Sequence, residues 1–439
     1  MHHPSPAPLP LRGTLRLRPA VGPWHRPALS VAVATLLPNL LLLAAGRLDL
    51  VPYTSAGTMC ALFAHALPYR ERARTLAWVA GGMVASVAVA LTAASLVRSA
   101  VVLVLLASAV AAAQKLLCDA TRLGPPGNVI FTFASAAAFF LPQRLPQVPA
   151  HLALVAVGGL IAWLVCLAPA LVREHGPALT LARPRAPRPL RAHLPLALRV
   201  GLGCTLAGLA SLAVGVGHPY WAVVTAAAVH RANTSVSFQR ALQRTLGSLL
   251  GLAVFTAAVP LVRTPGVGAL CALLLVAGCQ IGAEATITRN YGLGQVFVTP
   301  MALLLVSLTS VEPFGALVGD RWLDTLFGAA LGMAAAVLVT NRRAGERLTV
   351  ALGQARAAQT LARTGVTAPG TPPAPPAPPR EVVRARLADT LHELRESADG
   401  HAGEWWQRPA PSQSQEVAQV EREGRRMLTL LAERETARV

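Results

Sequence analysis

Twelve apolar stretches separated by short polar or Pro- and Gly-containing breaks run through the first 340 residues. They fall at roughly 28–46, 50–67, 76–97, 99–117, 129–142, 150–172, 194–214, 219–230, 245–262, 266–283, 292–309 and 322–340. Several reach the ~20 residues that a helix needs to cross a hydrocarbon core, and strand or irregular backbone facing lipid would leave its polar groups without partners. The expectation is an all-α polytopic membrane protein with about twelve transmembrane helices. Composition agrees, since 13% of residues are charged and 54% hydrophobic, whereas a soluble domain is about 25% charged.

Basic residues set the orientation. With a cytoplasmic N-terminus, nineteen of the arginines and lysines before residue 342 fall on predicted inner segments and five (Arg47, Arg98, Arg144, Arg263, Arg321) on predicted outer ones. That asymmetry is a positive-inside signature, and it places both termini in the cytoplasm of a bacterial inner membrane. No cleavable leader is expected, because the first 27 residues are rich in Pro and Arg and no small-residue cleavage site follows the first apolar run.

The halves echo each other. Arg70, Arg74-Thr75-Leu76 and Gly81 recur 170 residues later as Arg240, Arg244-Thr245-Leu246 and Gly251, and Tyr53 is matched by Tyr220. Each half holds an even number of spans, so both enter the membrane the same way round, as parallel repeats about an axis along the membrane normal. The expected organisation is an N-terminal cytoplasmic segment (1–27), a first six-helix repeat (28–172), a basic Pro-punctuated linker (173–193), a second repeat (194–341) and a helical cytoplasmic tail (342–439). A Pro-rich hinge at Pro372 to Pro379 interrupts the tail, and Trp405-Trp406 is its candidate packing anchor. Oligomerisation through the repeats or the tail is left open.

Several functions are disfavoured. The net charge of +19 would suggest nucleic acid as a partner, but the tail carries 15 basic and 12 acidic residues, so most of the excess lies at the inner membrane face, where topology and anionic lipid account for it. Lys115 is the only lysine and sits in no Gly-x-x-x-x-Gly-Lys-Ser/Thr loop, so P-loop ATP hydrolysis is not expected. The six cysteines are scattered through apolar spans and the histidines form no ligand-spaced cluster, so no metal, no cofactor and no enzyme activity are expected.

Transport has more support. The second span of each half is short, especially 219–230, which ends in His230-Arg231-Ala232-Asn233. Short apolar segments at corresponding positions point to broken helices lining a pathway. The competing reading is that the span simply ends there and a surface helix begins.

The segments Pro219-Tyr220-Trp221, Arg240, Arg244-Thr245-Leu246-Gly247-Ser248-Leu249-Leu250-Gly251, Arg289-Asn290-Tyr291 and Arg321-Trp322-Leu323-Asp324-Thr325-Leu326-Phe327-Gly328 resemble the fusaric acid resistance protein-like (FUSC) family of integral membrane transporters. Bacterial aromatic acid exporters belong to that family, and plant malate transporters are similar. The resemblance is good over roughly residues 200–340 and weak in the first half, where Thr54 replaces the Trp, and the large soluble domain often found between the halves is absent. It implies a six-helix unit used as a pair around a central anion pathway, with a helical cytoplasmic part.

Candidate site residues follow from these motifs. Arg240 and Arg244 lie one helical turn apart, as do Arg70 and Arg74, and together they would form a four-arginine ring that gathers carboxylates at the inner mouth. Topology alone would also place arginines there. Tyr220 and Trp221 are either interface anchors or aromatic walls, while His230, Arg231 and Asn290 flank the breaks. Glu284 and Asp324 are acidic groups within spans, suited to proton coupling or to structural pairs with Arg289 and Arg321. Gly247 with Gly251 and Gly328 with Gly332 allow close helix packing. The resulting reading is a secondary exporter of small organic, aromatic-type carboxylates. A passive anion channel and a non-transporting scaffold acting through its tail are the rivals.

Overall fold

The computed structural model describes the whole chain except residues 1–13, 15, 18, 20–23, 173–189, 232, 310–311, 340–343, 368–379, 405–409 and 437–439. Every regular element among the described residues is helical. The first half contributes α1 (His25–Ala44), α2 (Val51–Thr58), α3 (Tyr69–Leu96), α4 (Ala100–Ala120), α5 (Asn128–Ala138) and α6 (Val148–Val172). The second contributes α7 (Leu194–Val214), α8 (Tyr220–Val229), α9 (Thr234–Val262), α10 (Gly268–Ile287), α11 (Tyr291–Ser307) and α12 (Phe314–Leu338). These twelve follow the twelve apolar runs in order.

Their lengths are unequal. Among the described residues eight helices, namely α1, α3, α4, α6, α7, α9, α10 and α12, are long and apolar enough to cross a membrane. The other four have 8, 11, 10 and 17 residues (α2, α5, α8 and α11), and at about 1.5 Å per residue each falls short of a ~30 Å core. Each short helix occupies the same place in its half as its counterpart does in the other, second or fifth.

The long helices wear their leucines outward. On α1, Leu29, Val33, Leu37 and Leu41 recur every fourth residue and are each at least half exposed, while Ala28, Val31, Thr35 and Asn39 point inward. Stripes of exposed large apolar residues on α6 (Val157, Leu160, Leu164) and α9 (Leu246, Leu249, Leu250, Val254) do the same. Contiguous exposed apolar surface on this scale suits lipid rather than water. The interior is small and polar by comparison, with Asn39 donating to Ser55 at 3.1 Å and accepting from Thr54 at 2.9 Å. Gln114 joins α4 to Ser135 and Thr132 of α5.

The halves meet through α4 on α7, α1 on α10, α5 on α8 and α2 on α11, and α4 also touches α8. Exchanging α1–α6 for α7–α12 converts the first pair into the second and the third into the fourth. One compact unit holds Pro10–Arg231 with Ser237–Val339.

A second compact unit contains Thr340–Val439 with Ala232–Val236. Its described part is the trio α13 (Ala344–Thr367), α14 (Arg380–Ala402) and α15 (Pro411–Thr436), in keeping with the helical tail expected from sequence. Leu348 and Leu352 of α13, Leu387 and Leu394 of α14, and Val417 and Val420 of α15 form its core. Arg363 bridges to Glu423 at 2.7 Å, and Gln359 donates to the Val420 carbonyl. Within the same unit the Ser235 amide donates to the Gly403 carbonyl at 3.0 Å and the Thr234 hydroxyl to Glu404 at 2.7 Å. The Pro-rich hinge, Trp405-Trp406 and most of the 173–193 linker lie outside the described residues.

The glycine motif differs between the halves. A Cβ at Gly247 would lie 2.1 Å from the Gly292 carbonyl oxygen, and one at Gly251 would lie 2.8 Å from the Thr299 Cβ, so α9 and α11 are in backbone contact there. Gly81, the counterpart of Gly251, has nothing within 4 Å. Gly247→Ala is expected to destabilise the chain by ~1–3 kcal/mol through overpacking. Gly81→Ala should be neutral or stabilise by up to about 1 kcal/mol, because alanine is the better helix former. Thermal unfolding of the detergent-purified protein measures both.

Candidate functional site

Helix α8 is apolar on every side except for Thr225 and its leading Tyr220-Trp221, which is the pattern of a helix that touches no solvent. All ten of its residues are buried, and α4, α5, α7 and α12 pack on it. Pro219 starts it. At its far end His230 turns extended (ψ 125°), which stops the helix.

Polar groups from the surrounding helices converge on this rod. On α12 the residues Arg321, Asp324, Thr325, Gly328 and Gly332 share one face by helical spacing and are buried. The glycines set the approach: a Cβ at Gly328 would lie 2.4 Å from the Thr225 Cβ, and one at Gly332 would lie 3.1 Å from the Ala226 Cα. Close contact at those two positions brings Arg321 over the Trp221 ring, 5.3 Å from its centroid. No nitrogen of the Arg321 guanidinium has a hydrogen-bond partner, and neither has Trp221 Nε1. Asp324 Oδ1 accepts from the Ser211 hydroxyl of α7 at 2.6 Å, while its Oδ2 has no partner. The expected Arg321–Asp324 pair is therefore not made: the two side chains leave the same face of α12 but turn to Trp221 and to Ser211.

One turn further along α8, Arg244 donates through Nε to Thr225 Oγ1 at 3.2 Å and through Nη1 to the Tyr291 hydroxyl at 2.7 Å. Arg240 lies flat on the same tyrosine, its Cζ 3.2 Å from the ring centroid. At the end of α8, His230 is buried with neither ring nitrogen hydrogen-bonded. Its Nε2 sits where a Cβ on Gly203 would be, 2.6 Å away. The Arg231 amide donates to Ser237 Oγ at 2.9 Å, holding the break.

The other end of α8 carries an aromatic and acidic cluster. His218 stacks on Trp221 at 4.6 Å and 19°, so His218 and Arg321 both address the indole. Its Nδ1 is 3.0 Å from Asp320, which also accepts from the Gly217 amide, and its Nε2 is 3.7 Å from Glu312. Among the described residues His218, Glu312 and Asp320 are the group whose donor atoms converge closely enough to hold a metal ion. Tyr220 packs against Trp221 and against Phe140 of the first half.

Other candidate residues fall elsewhere. Asn290 caps α11, accepting from the Gly292 and Leu293 amides, and its Nδ2 donates to the Thr14 carbonyl, so its amide is occupied by structure. Glu284 lies near the end of α10 and, among the described residues, makes no ion pair, so the expected pair with Arg289 is absent. Arg70 and Arg74 are exposed on α3 and share no hydrogen bond, ion pair or ring contact with Arg240 or Arg244 among the described residues. Arg70 and Arg74 are exposed where Arg244 is buried, so the two pairs sit in unlike surroundings. Residues that the sequence did not mark as site members, Ser211, Thr225, Tyr291 and above all Arg321, join instead. The available signal for Arg321 was its three-residue spacing from Asp324, which suggested a pair rather than an open cation.

The arrangement gathers Arg231, Arg240, Arg244 and Arg321 about one buried helix, with the Asp324 carboxylate and three aromatic rings between them. It is a chemistry for holding anions.

Residues 206–335, which hold this cluster apart from Gly203, Phe140 and the Thr14 contact, match the family model described as fusaric acid resistance protein-like. These residues are similar to that family. It is a family of membrane transporters rather than of enzymes. The chain is also similar to curated relatives over about a third of its length. The chain is 31% identical over 155 residues to the uncharacterized membrane protein YvaC of Bacillus subtilis, covering 35% of this chain and 24% of that one. It is 29% identical over 144 residues to the uncharacterized protein slr1298 of Synechocystis, covering 33% and 18%. The chain thus spans a quarter or less of the length of these relatives. No solved structure matches it.

Tyr291→Phe removes the hydroxyl that takes Arg244 and should cost about 1.5–3 kcal/mol, the usual worth of a hydrogen bond to a charged group. A fall in the melting temperature of the purified protein is the expected outcome, while Arg74→Ala, exposed and outside the cluster, should leave it unchanged.

Proposed function

We propose that the chain exports small organic carboxylates, aromatic ones by preference, across a bacterial cytoplasmic membrane. The observation that carries this reading is the buried cluster along α8, where Arg244 and Arg321 are fully buried and the nearest carboxylate, Asp324, bonds a serine instead of either. Buried positive charge inside a membrane is costly unless a pathway or partner uses it, and ionisable groups at such depth are functional by default. Trp221 and Tyr220 supply flat apolar surface beside the cations. The transporter family of residues 206–335 points the same way.

The direction is export because a weak acid enters as its neutral form, ionises inside, and is then favoured outward by an inside-negative potential at ~2.3 kcal/mol per charge per 100 mV. Proton linkage falls to Asp324, midway along α12, with Glu284 as the lesser candidate. The two six-helix halves are copies facing each other across an axis normal to the membrane. The exchange-related packing of α4 on α7 and α1 on α10 supports this relation, as do the matched short helices. Both termini and the 173–193 linker then lie in the cytoplasm.

Benzoate efflux from proteoliposomes tests the reading. Arg244→Ala should reduce efflux at least about tenfold at normal protein levels, while Asp324→Asn should flatten its pH dependence. Efflux that never exceeds equilibration under any imposed proton gradient would make the protein a channel, and no flux at all would make it a scaffold. Topology has its own check: a cysteine at position 185 on a cysteine-free background should react only after the cells are opened, and labelling from outside intact cells would overturn the parallel repeat.

A further inference from the structure

We infer that Arg321 and Trp221 form a buried station for the carboxylate group of the transported anion, and that Asp324 takes the anion's place on Arg321 when the station is empty. The inference rests on the anion-transport reading and assigns it a site and a resetting step.

Arg321 is the eighth residue of α12 and is 0% exposed. A guanidinium carries five N–H donors in a planar fork, and none of those on Arg321 meets an acceptor. What it meets is the face of Trp221. An indole face attracts a cation but accepts no in-plane hydrogen bond, so the edge of the fork is still open to a bidentate oxyanion. The aromatic surroundings of that edge, Trp221 with Tyr220 packed on it, favour a carboxylate on an aromatic ring over chloride or acetate.

The opposite charge lies close by. Asp324 is three residues on, and side chains at that spacing meet on a helix surface. Both are fully buried, and a buried cation and a buried carboxylate within reach of each other ordinarily pair. Here they do not. Ser211 of α7 donates to Asp324 Oδ1 at 2.6 Å and holds the carboxylate off the arginine, leaving Oδ2 without a partner. The serine thus parks the competitor. With the carboxylate parked, Arg321 is ready for an external anion; when that anion leaves, rotation of the Asp324 side chain from Ser211 to Arg321 neutralises the cation within one turn of one helix. The loaded state and the reset state each keep one anion on the arginine, and the parked arrangement between them leaves its donors for the incoming substrate.

The two residues that handle the competitor should then act with opposite signs, which a merely structural role would not produce. The measurement is benzoate binding to the purified full-length chain in nanodiscs by titration calorimetry, with acetate and chloride as comparison anions. Arg321→Gln should weaken benzoate binding at least about tenfold, the worth of a lost charged hydrogen bond. Arg321→Lys, which keeps the charge and a comparable stem, should weaken it less and keeps the test open if the glutamine variant does not fold. Asp324→Asn, which removes the competing charge, should tighten binding several-fold while slowing efflux. Ser211→Ala, which frees the competitor, should weaken binding. Weaker or unchanged binding in Asp324→Asn, or tighter binding in Ser211→Ala, overturns the partner exchange. Parental affinity in Arg321→Gln overturns the station itself and leaves the transport reading standing. A parent chain that binds none of the three anions overturns the transport reading and the inference with it.

Discussion

Helix α8 is too short to reach across a hydrocarbon core, and it ends on an extended His230, so the backbone freed there cannot face lipid. It has to be enclosed by protein. Enclosure draws in α4, α5, α7 and α12, and the glycines of α12 decide how closely. Once Gly328 and Gly332 lie on Thr225 and Ala226, the residues one and two turns before them, Asp324 and Arg321, are carried into the same interior. The buried charge is thus a consequence of backbone approach. A side chain at Gly328 would open the α8–α12 seam and let water or lipid reach the arginine.

Much of the fold was legible because lipid imposes a simple rule on backbone. The twelve apolar runs became twelve helices in order, and 194–214 agrees to the residue with α7. Lengths were less legible where polar residues lead a helix. The stretch Ser237 to Arg244 reads as surface by composition, yet it is the opening of the 29-residue α9, because Arg240 and Arg244 are satisfied by the ring and hydroxyl of Tyr291. Sequence spacing shows that two arginines share a face, but it does not show which tyrosine on another helix will cover them.

The same limit explains the site. Spacing correctly grouped Arg321 with Asp324, then suggested a pair, because Ser211 lies 113 residues from the aspartate and nothing local announces it. Sequence identity between the halves also overstated their equivalence. Arg70 and Arg74 occupy the positions of Arg240 and Arg244 in the repeat, yet they are exposed, and Gly81 stands free where Gly251 is pressed on α11. Tyr53 stacks on His151 at 4.0 Å, whereas Tyr220 and Trp221 serve Phe140, His218 and Arg321. The buried cluster of arginines sits in the second half and the first half packs against it.

Among the described residues Trp221 is the indole that lies between an imidazole and a guanidinium, and its Nε1–H is unbonded. Excited-state indole is quenched by protonated imidazole and shifts its emission with the field of a nearby ion. A charge arriving at or leaving Arg321 therefore changes the light emitted by this residue, as does a proton on His218. The chain carries its own optical probe beside the buried arginine, and a change of charge there can be followed without attaching a dye.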